Sequence, residues 1–147
     1  MPTKPELHLA VQYACDDPGL PDRAQLRRWV LAAQEQALTV TIRFVAAREG
    51  RALNRDFRGK DYATNVLTFV YADEPAALGD LVVCLPVVKR EAKEQKKPVA
   101  AHMAHMIVHG TLHLQGYDHE TGKRDAERME AREREILARF GIADPYA

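Results

Sequence analysis

Between Val99 and Leu114 the chain is apolar almost all round, with Met103, Ala104, Met106, Ile107, Val108 and Leu112, yet it carries four histidines. At about 100° per residue, His102, His105, His109 and His113 fall within an arc of roughly 80°. A helix of this composition has no solvent face, so the rest of the fold has to wrap it. A lone histidine on such a helix is ordinarily a hydrogen-bonded core residue. The pair His109 and His113 changes that balance, because a four-residue step puts two imidazoles on one face. Gly116 follows at a position where a left-handed residue ends a helix. The chain then turns through Tyr117 and Asp118 and can bring His119 back to the same point. Three imidazoles with a fourth position open form the ligand set of a catalytic metal site. His105, one turn earlier, either lines the cleft or supports a ligand by a hydrogen bond. Asp118 either orients a ligand or helps move protons, or else satisfies backbone donors in the turn.

The 147 residues suit one domain with a real core. Leu7, Leu9, Val11 and Tyr13 alternate with polar or small residues and predict a half-buried strand. Pro21-Asp22 opens a helix running to about Gln36, with Leu26, Trp29, Val30 and Ala33 inward. Thr39 to Val45 reads as a strand with Val40, Ile42 and Phe44 on one side. A helix over Ala47 to Phe57 turns Leu53 and Phe57 inward and leaves Arg48, Arg51, Arg55 and Arg58 outside. A polar loop then leads to a strand over Val66 to Tyr71, which Asp73-Glu74-Pro75 breaks. Gly79-Asp80 ends a short loop, and Leu81 to Leu85 is a strand covered on both faces. Pro86 marks a boundary before a charged helix over Val87 to Lys96. The last helix, about Asp125 to Phe140, packs through Met129, Ile136, Leu137 and Phe140.

The formal net charge is zero, so the chain is not broadly basic. Charge is unevenly placed, however: Arg43 to Lys60 holds six basic and two acidic residues, and Lys89 to Lys97 holds five and two. Such patches either attract phosphate or are solvated helix faces. Cys15 and Cys84 are too few for a disulfide framework and read as reduced, at least partly buried thiols. No apolar run is long enough to span a bilayer, and Met1-Pro2-Thr3-Lys4 does not open a signal peptide. The expected location is cytoplasmic, with no membrane partner.

Imidazole ligands suit zinc, and nickel, copper or iron remain open by ligand type. Such an ion polarises an oxygen of the substrate and activates water, which favours hydrolysis or transfer at a carbonyl or phosphoryl centre. The related zinc peptidase pattern is His-Glu-x-x-His-x-x-Gly-x-x-His, whose glutamate is the general base. Gly110 occupies that glutamate position here. Amide cleavage is thereby handicapped, because it needs proton transfer both to and from the reacting groups. Phosphodiester cleavage asks instead for stabilisation of charge on phosphoryl oxygens. An ion with an arginine from the Arg43 to Lys60 region would suit it.

The stretch from His109 to His119 matches at every fixed position the His-Gly-x-Leu-His-Leu-x-Gly-Tyr-Asp-His motif of the YbeY family of bacterial endoribonucleases, or rRNA maturation factors, which the chain closely resembles. Ala101 to Met106, Leu53 to Asp61, Thr64 to Phe69, Gly79 to Val82 and Asp144-Pro145-Tyr146 carry the resemblance over nearly the whole chain. Val70 departs from it, standing where many relatives have proline. The resemblance implies an α+β, zincin-like single domain over residues 1–147, with an about four-stranded mixed sheet packed with helices around the histidine helix. It implies one zinc held by His109, His113 and His119, and Arg58 as the residue that contacts RNA phosphate or stabilises the transition state. The implied activity is metal-dependent cleavage of single-stranded RNA, in 3′-end maturation of small-subunit ribosomal RNA and in ribosome quality control. The implied partners are ribosomal RNA, small-subunit ribosomal proteins and an assembly GTPase. Two other readings stay open: a metal-dependent hydrolase of another substrate, peptidase-like, and a ribosome-assembly factor whose zinc is structural.

Overall fold

A computed structural model describes residues 5–72 and 76–147. The breaker Asp73-Glu74-Pro75 and the opening Met1-Pro2-Thr3-Lys4 lie outside the described residues. Strands β1 (Leu7–Tyr13), β2 (Leu38–Val45), β3 (Val66–Ala72) and β4 (Ala77–Cys84) form one sheet in the order β1-β2-β4-β3. The pairs β1–β2 and β2–β4 are parallel, and β3 runs antiparallel to β4, so the sheet is mixed. Five helices complete the α+β fold: α1 (Arg23–Ala33), α2 (Ala47–Arg58), α3 (Leu85–Glu94), α4 (Val99–Leu114) and α5 (Lys123–Ala138).

Side chains alternate across a strand, and this sheet uses both faces. Leu38, Val40, Ile42 and Phe44 of β2, with Leu81 and Val83 of β4, join the main core with α1, α4 and α5. Val82 and Cys84 point the other way, into a smaller cluster with Leu67 and Val87. Helix α4 has eleven buried residues out of sixteen and lies in the middle of the main core, as its all-round apolar sequence requires. Its approach to the sheet depends on Gly110. A Cβ there would lie 2.7 Å from Cδ2 of Leu81, inside contact distance. Trp29 is a core residue at the α1 face, and both cysteines are free, Cys84 buried and Cys15 half-buried.

Several boundaries differ from the sequence expectation. Helix α1 stops at Ala33 rather than near Gln36, because Gln115 captures the following backbone. Its Oε1 accepts from the N–H groups of Glu35 (2.6 Å) and Gln36 (3.2 Å), and its Nε2 donates to the Ala33 carbonyl (2.9 Å). Pro86 sits inside the first turn of α3, where its missing N–H costs no helical bond, so that helix starts at Leu85 and not at Val87. Residues 79 and 80, expected in a loop, belong to β4, and the last helix begins at Lys123 and ends at Ala138. Strand β3 continues past Val70 to Ala72 with an irregular register between those two residues.

Phe57 does not face inward. Gly50, against Sγ of Cys84, and the buried Asn54 form the inner side of α2, so Phe57 stands at the rim, 67% exposed and edge-on to Phe69.

Candidate active site

The four histidines of α4 form one stripe: successive ring centroids are 6.1, 6.3 and 6.5 Å apart from His102 to His113. The upstream pair is buried and the downstream pair opens onto a cleft. Gly116, at φ 98°, ends the helix as its position predicts, and the returning turn lays His119 beside the pair. The His119 ring centroid is 5.0 Å from that of His109 and 6.2 Å from that of His113. Rings that each give one nitrogen to a single tetrahedral ion have centroids roughly 5 Å apart. The His109–His119 spacing fits that figure, and His113 stands 6.2 and 6.5 Å from the other two rings, so the three gather at one cleft and would close up to share an ion.

The opposite nitrogens decide which lone pairs are available. Glu133 of α5 has no exposed side-chain surface, and its Oε1 lies 2.6 Å from Nδ1 of His109. Burial alone would raise the Glu133 pKa, but hydrogen bonds from His105, His109 and Tyr146 outweigh it and hold the carboxyl at about 2. An ionised carboxylate only accepts, so Nδ1 of His109 carries the proton and Nε2 keeps its lone pair. The Tyr117 carbonyl, 2.9 Å from Nδ1 of His113, imposes the same tautomer there. Outer partners of this kind are the usual support of metal-ligating histidines.

Donor atoms also gather as His105, His109 and Glu133, and as His113, Asp118 and His119, each group within 4.8 Å. The first group is a hydrogen-bonded cluster and not a shared ligand set. Two atoms bound to one tetrahedral zinc stand roughly 3.3 Å apart, well beyond the 2.6 Å between His109 and Glu133. In the second, Asp118 uses Oδ1 to accept from the Glu120 N–H at 2.8 Å. That bond, then the neighbouring His113 and His119, lower the Asp118 pKa. Asp118 thus satisfies a turn donor and also sits against two of the three imidazoles.

His105 does not reach the cleft. Its Nε2 is 3.3 Å from Oε2 of Glu133 and 3.2 Å from the Tyr146 hydroxyl, which donates to the same carboxylate oxygen. It therefore supports Glu133, which in turn supports His109. His102 is one turn further on, 2.8 Å from Glu91, in a structural contact. On the other side, the Tyr117 hydroxyl donates to Glu35 (3.0 Å), which also accepts from Arg132 at 2.9 Å. The peptide that orients His113 is fixed through that side chain.

The cleft, about 560 Å³, is lined by His109, His113 and His119 on one wall and by Arg58, Lys60 and Tyr62 on the other. Gly59, at φ 70°, caps α2 and turns the chain so that Arg58 and Lys60 both reach it. Arg51 and Arg55 of α2 are paired with Asp61 and Asp56, whereas Arg58 has no ion-pair partner among the described residues. Glu120 is an acidic member of the lining.

Sequence reasoning did not find Glu133, Tyr146 or Glu120. Glu133 was detectable: it falls on the packing stripe of α5, four residues after Met129 and three before Ile136, where a charge needs a partner. Its neighbours Arg132, Arg134 and Glu135 disguise it as surface.

Comparison with known proteins shows the family. The chain is 59% identical over 144 residues to a protein named Endoribonuclease YbeY from Thiobacillus denitrificans, covering 97% of each. It is 53% identical over 147 residues to the one from Acidovorax sp. strain JS42, again over 97% of both. The solution structure of TM1509 from Thermotoga maritima matches with a TM-score of 0.59 and 25% identity, over 90% of this chain and 91% of that one. The family model described as Endoribonuclease YbeY matches residues 22–141. A match of that extent takes in every element that builds the cleft, and the chain belongs to the YbeY endoribonuclease family.

Proposed function

We propose that the chain is a metal-dependent endoribonuclease acting on single-stranded RNA within the cleft between α4 and the loop after α2. The observation that carries this reading is three imidazoles gathered in one cleft with Arg58 and Lys60, which have no ion-pair partner among the described residues. His109 and His113 would hold the ion through their unprotonated Nε2 atoms, and His119 through one ring nitrogen. Zinc is the first choice for three neutral nitrogen ligands. Bound there, it supplies Lewis-acid stabilisation of charge on a phosphoryl oxygen. The chain's own residues do the rest. Glu133 and the Tyr117 carbonyl keep the Nδ1 protons of His109 and His113 in place. Arg58 meets the phosphate with a bidentate guanidinium, and its charge is unspent on any other group among the described residues. Asp118 holds the turn that presents His119, and His105 steadies Glu133. Glu120 is the carboxylate in the lining that is placed to accept a proton.

The family relationship supports a substrate in ribosomal RNA, with action in 3′-end maturation of the small-subunit RNA and in ribosome quality control. Small-subunit proteins and an assembly GTPase would be the partners, the cytoplasm the location, and residues 1–147 one catalytic domain. No helix among the described residues is long and apolar enough to cross a membrane. The test is cleavage of single-stranded RNA and of casein by purified protein, with and without chelator. Chelator-sensitive RNA cleavage with casein intact is expected. Cleavage of casein alone would favour the peptidase-like reading, and RNA binding without any cleavage the assembly factor.

A further inference from the structure

Of the five tyrosines in the chain, four place the hydroxyl on a partner. Tyr13 donates to the Pro21 carbonyl, Tyr71 to Asp80, Tyr117 to Glu35 and Tyr146 to Glu133. The side chain of Tyr62 makes no hydrogen bond or ring contact among the described residues, and it is 55% exposed. It lines the cleft with the three histidines.

Its backbone, by contrast, is tightly held. The Tyr62 carbonyl accepts from Nδ2 of Asn54 at 2.7 Å, and Asn54 is 2% exposed. The Tyr62 N–H donates to the Lys60 carbonyl at 2.9 Å. The side chain of Asp61 turns back to Arg51 in a two-bond ion pair of 2.8 and 2.9 Å. A buried amide and an ion pair thus fix the loop while its aromatic ring stays more than half exposed. A loop already fixed in this way loses little further backbone freedom when a ligand packs on its ring.

The neighbours of the ring state what that ligand is. Arg58, Lys60 and Tyr62 all line the cleft, while the carboxylate between the last two is turned away. Two cations and one aromatic face match a phosphodiester strand whose base is free to stack. In a duplex both faces of each internal base are already covered. We propose that Tyr62 is a nucleobase-stacking subsite. It takes one unstacked base of single-stranded RNA, with Arg58 and Lys60 on the flanking phosphates. The proposal rests on the RNA reading above and supplies a physical origin for preference for single strands.

The experiment is fluorescence anisotropy on the full chain as purified, with labelled short 2′-O-methyl RNA in single-stranded and duplex form. Tyr62→Ala is expected to weaken single-strand binding roughly 5- to 150-fold and to leave duplex binding unchanged. Tyr62→Phe should restore binding, because the ring and not the hydroxyl stacks. Tyr62→Trp should also bind, and its fluorescence should be quenched by the base. Trp29, the single native tryptophan, is 3% exposed and contributes a steady background. An abasic residue at one position of the strand should remove most of the difference between wild type and Tyr62→Ala. Single-strand binding by Tyr62→Ala equal to wild type, or an equal loss for single strand and duplex, would overturn the subsite. If the wild-type chain cleaves RNA while Tyr62→Ala is unaltered, only the stacking falls. If the wild type binds no RNA at all, the RNA reading falls and the subsite with it.

Discussion

Replacing Glu133 by glutamine changes one charge at the back of the histidine cluster while keeping shape. The glutamate has no exposed side-chain surface and bonds His109, His105 and Tyr146 together. Its pKa is displaced from the ordinary 4.5 down to about 2. At about 1.4 kcal/mol per unit, that displacement corresponds to about 3 kcal/mol favouring the folded, ionised form. A carboxylate whose folded pKa is depressed contributes this stability fully above its unfolded pKa. The contribution fades as pH falls from about 4.5 toward about 2. In metal-free protein at neutral pH, Glu133→Gln is therefore expected to lose up to about 3 kcal/mol, or roughly 6 to 12 °C in Tm for a domain of this size. The gap between variant and wild type should close on acidification below pH 4. Glutamine keeps an acceptor for His109 but not the charge that fixes its tautomer. Metal affinity should accordingly fall about 10- to 100-fold. Calorimetry of chelated protein across pH, with metal titration of each form, reads both effects. A stability gap that is the same at pH 3 and pH 7, together with unchanged metal affinity, would refute the assignment of Glu133 as the ionised support of His109.

His113→Ala should lower the metal content found by mass spectrometry from about one per chain to near zero, with the far-ultraviolet circular dichroism retained. Arg58→Glu should abolish most RNA cleavage while leaving metal content and Tm as in wild type, because Arg58 has no partner to lose among the described residues; a lower Tm would show a structural role instead. Gly110→Ala should cost about 1–3 kcal/mol by chemical denaturation, since its Cβ would press on Leu81, and should cost less in a Leu81→Ala background. Tyr146→Phe removes one donor to Glu133 and should weaken metal binding less than Glu133→Gln does, because His105 and His109 remain.

The histidine helix was legible to the residue, Val99–Leu114, because an all-round apolar run between Pro98 and Gly116 leaves one solution. The strands were nearly as clear: alternation in β1 and β2 reports one covered face, and the unbroken run in β4 reports two. Where the sequence misled, a distant side chain had intervened. Gln115 ends α1 early by capturing a backbone some eighty positions away. Asn54, and not Phe57, takes the inner face of α2, because its amide is needed to hold the Tyr62 carbonyl. The gathering of His109, His113 and His119 was readable from local spacing, whereas the side chains behind them were not. Glu133 and Glu35 lie on other elements, and only the packing of α4 against α5 and the end of α1 brings them in.

Gly110 connects the fold to the choice of chemistry. A helical step of about 100° separates position 110 from His109, so the histidine faces the cleft while its neighbour faces the sheet. There the Leu81 side chain already fills the space where a Cβ would begin. A glutamate at this position would have to displace the buried Leu81 side chain, and its carboxylate would point toward the sheet and away from the cleft. Packing thus disfavours the general base of the peptidase pattern at this position. The loop after α2, anchored by Asn54 and Arg51, supplies what the helix does not: two cations without an ion-pair partner among the described residues and an exposed aromatic ring. A cleft with convergent imidazoles on one side and positive charge on the other is suited to a substrate that is anionic at its reacting atom. That condition is met by a phosphodiester and not by a peptide bond.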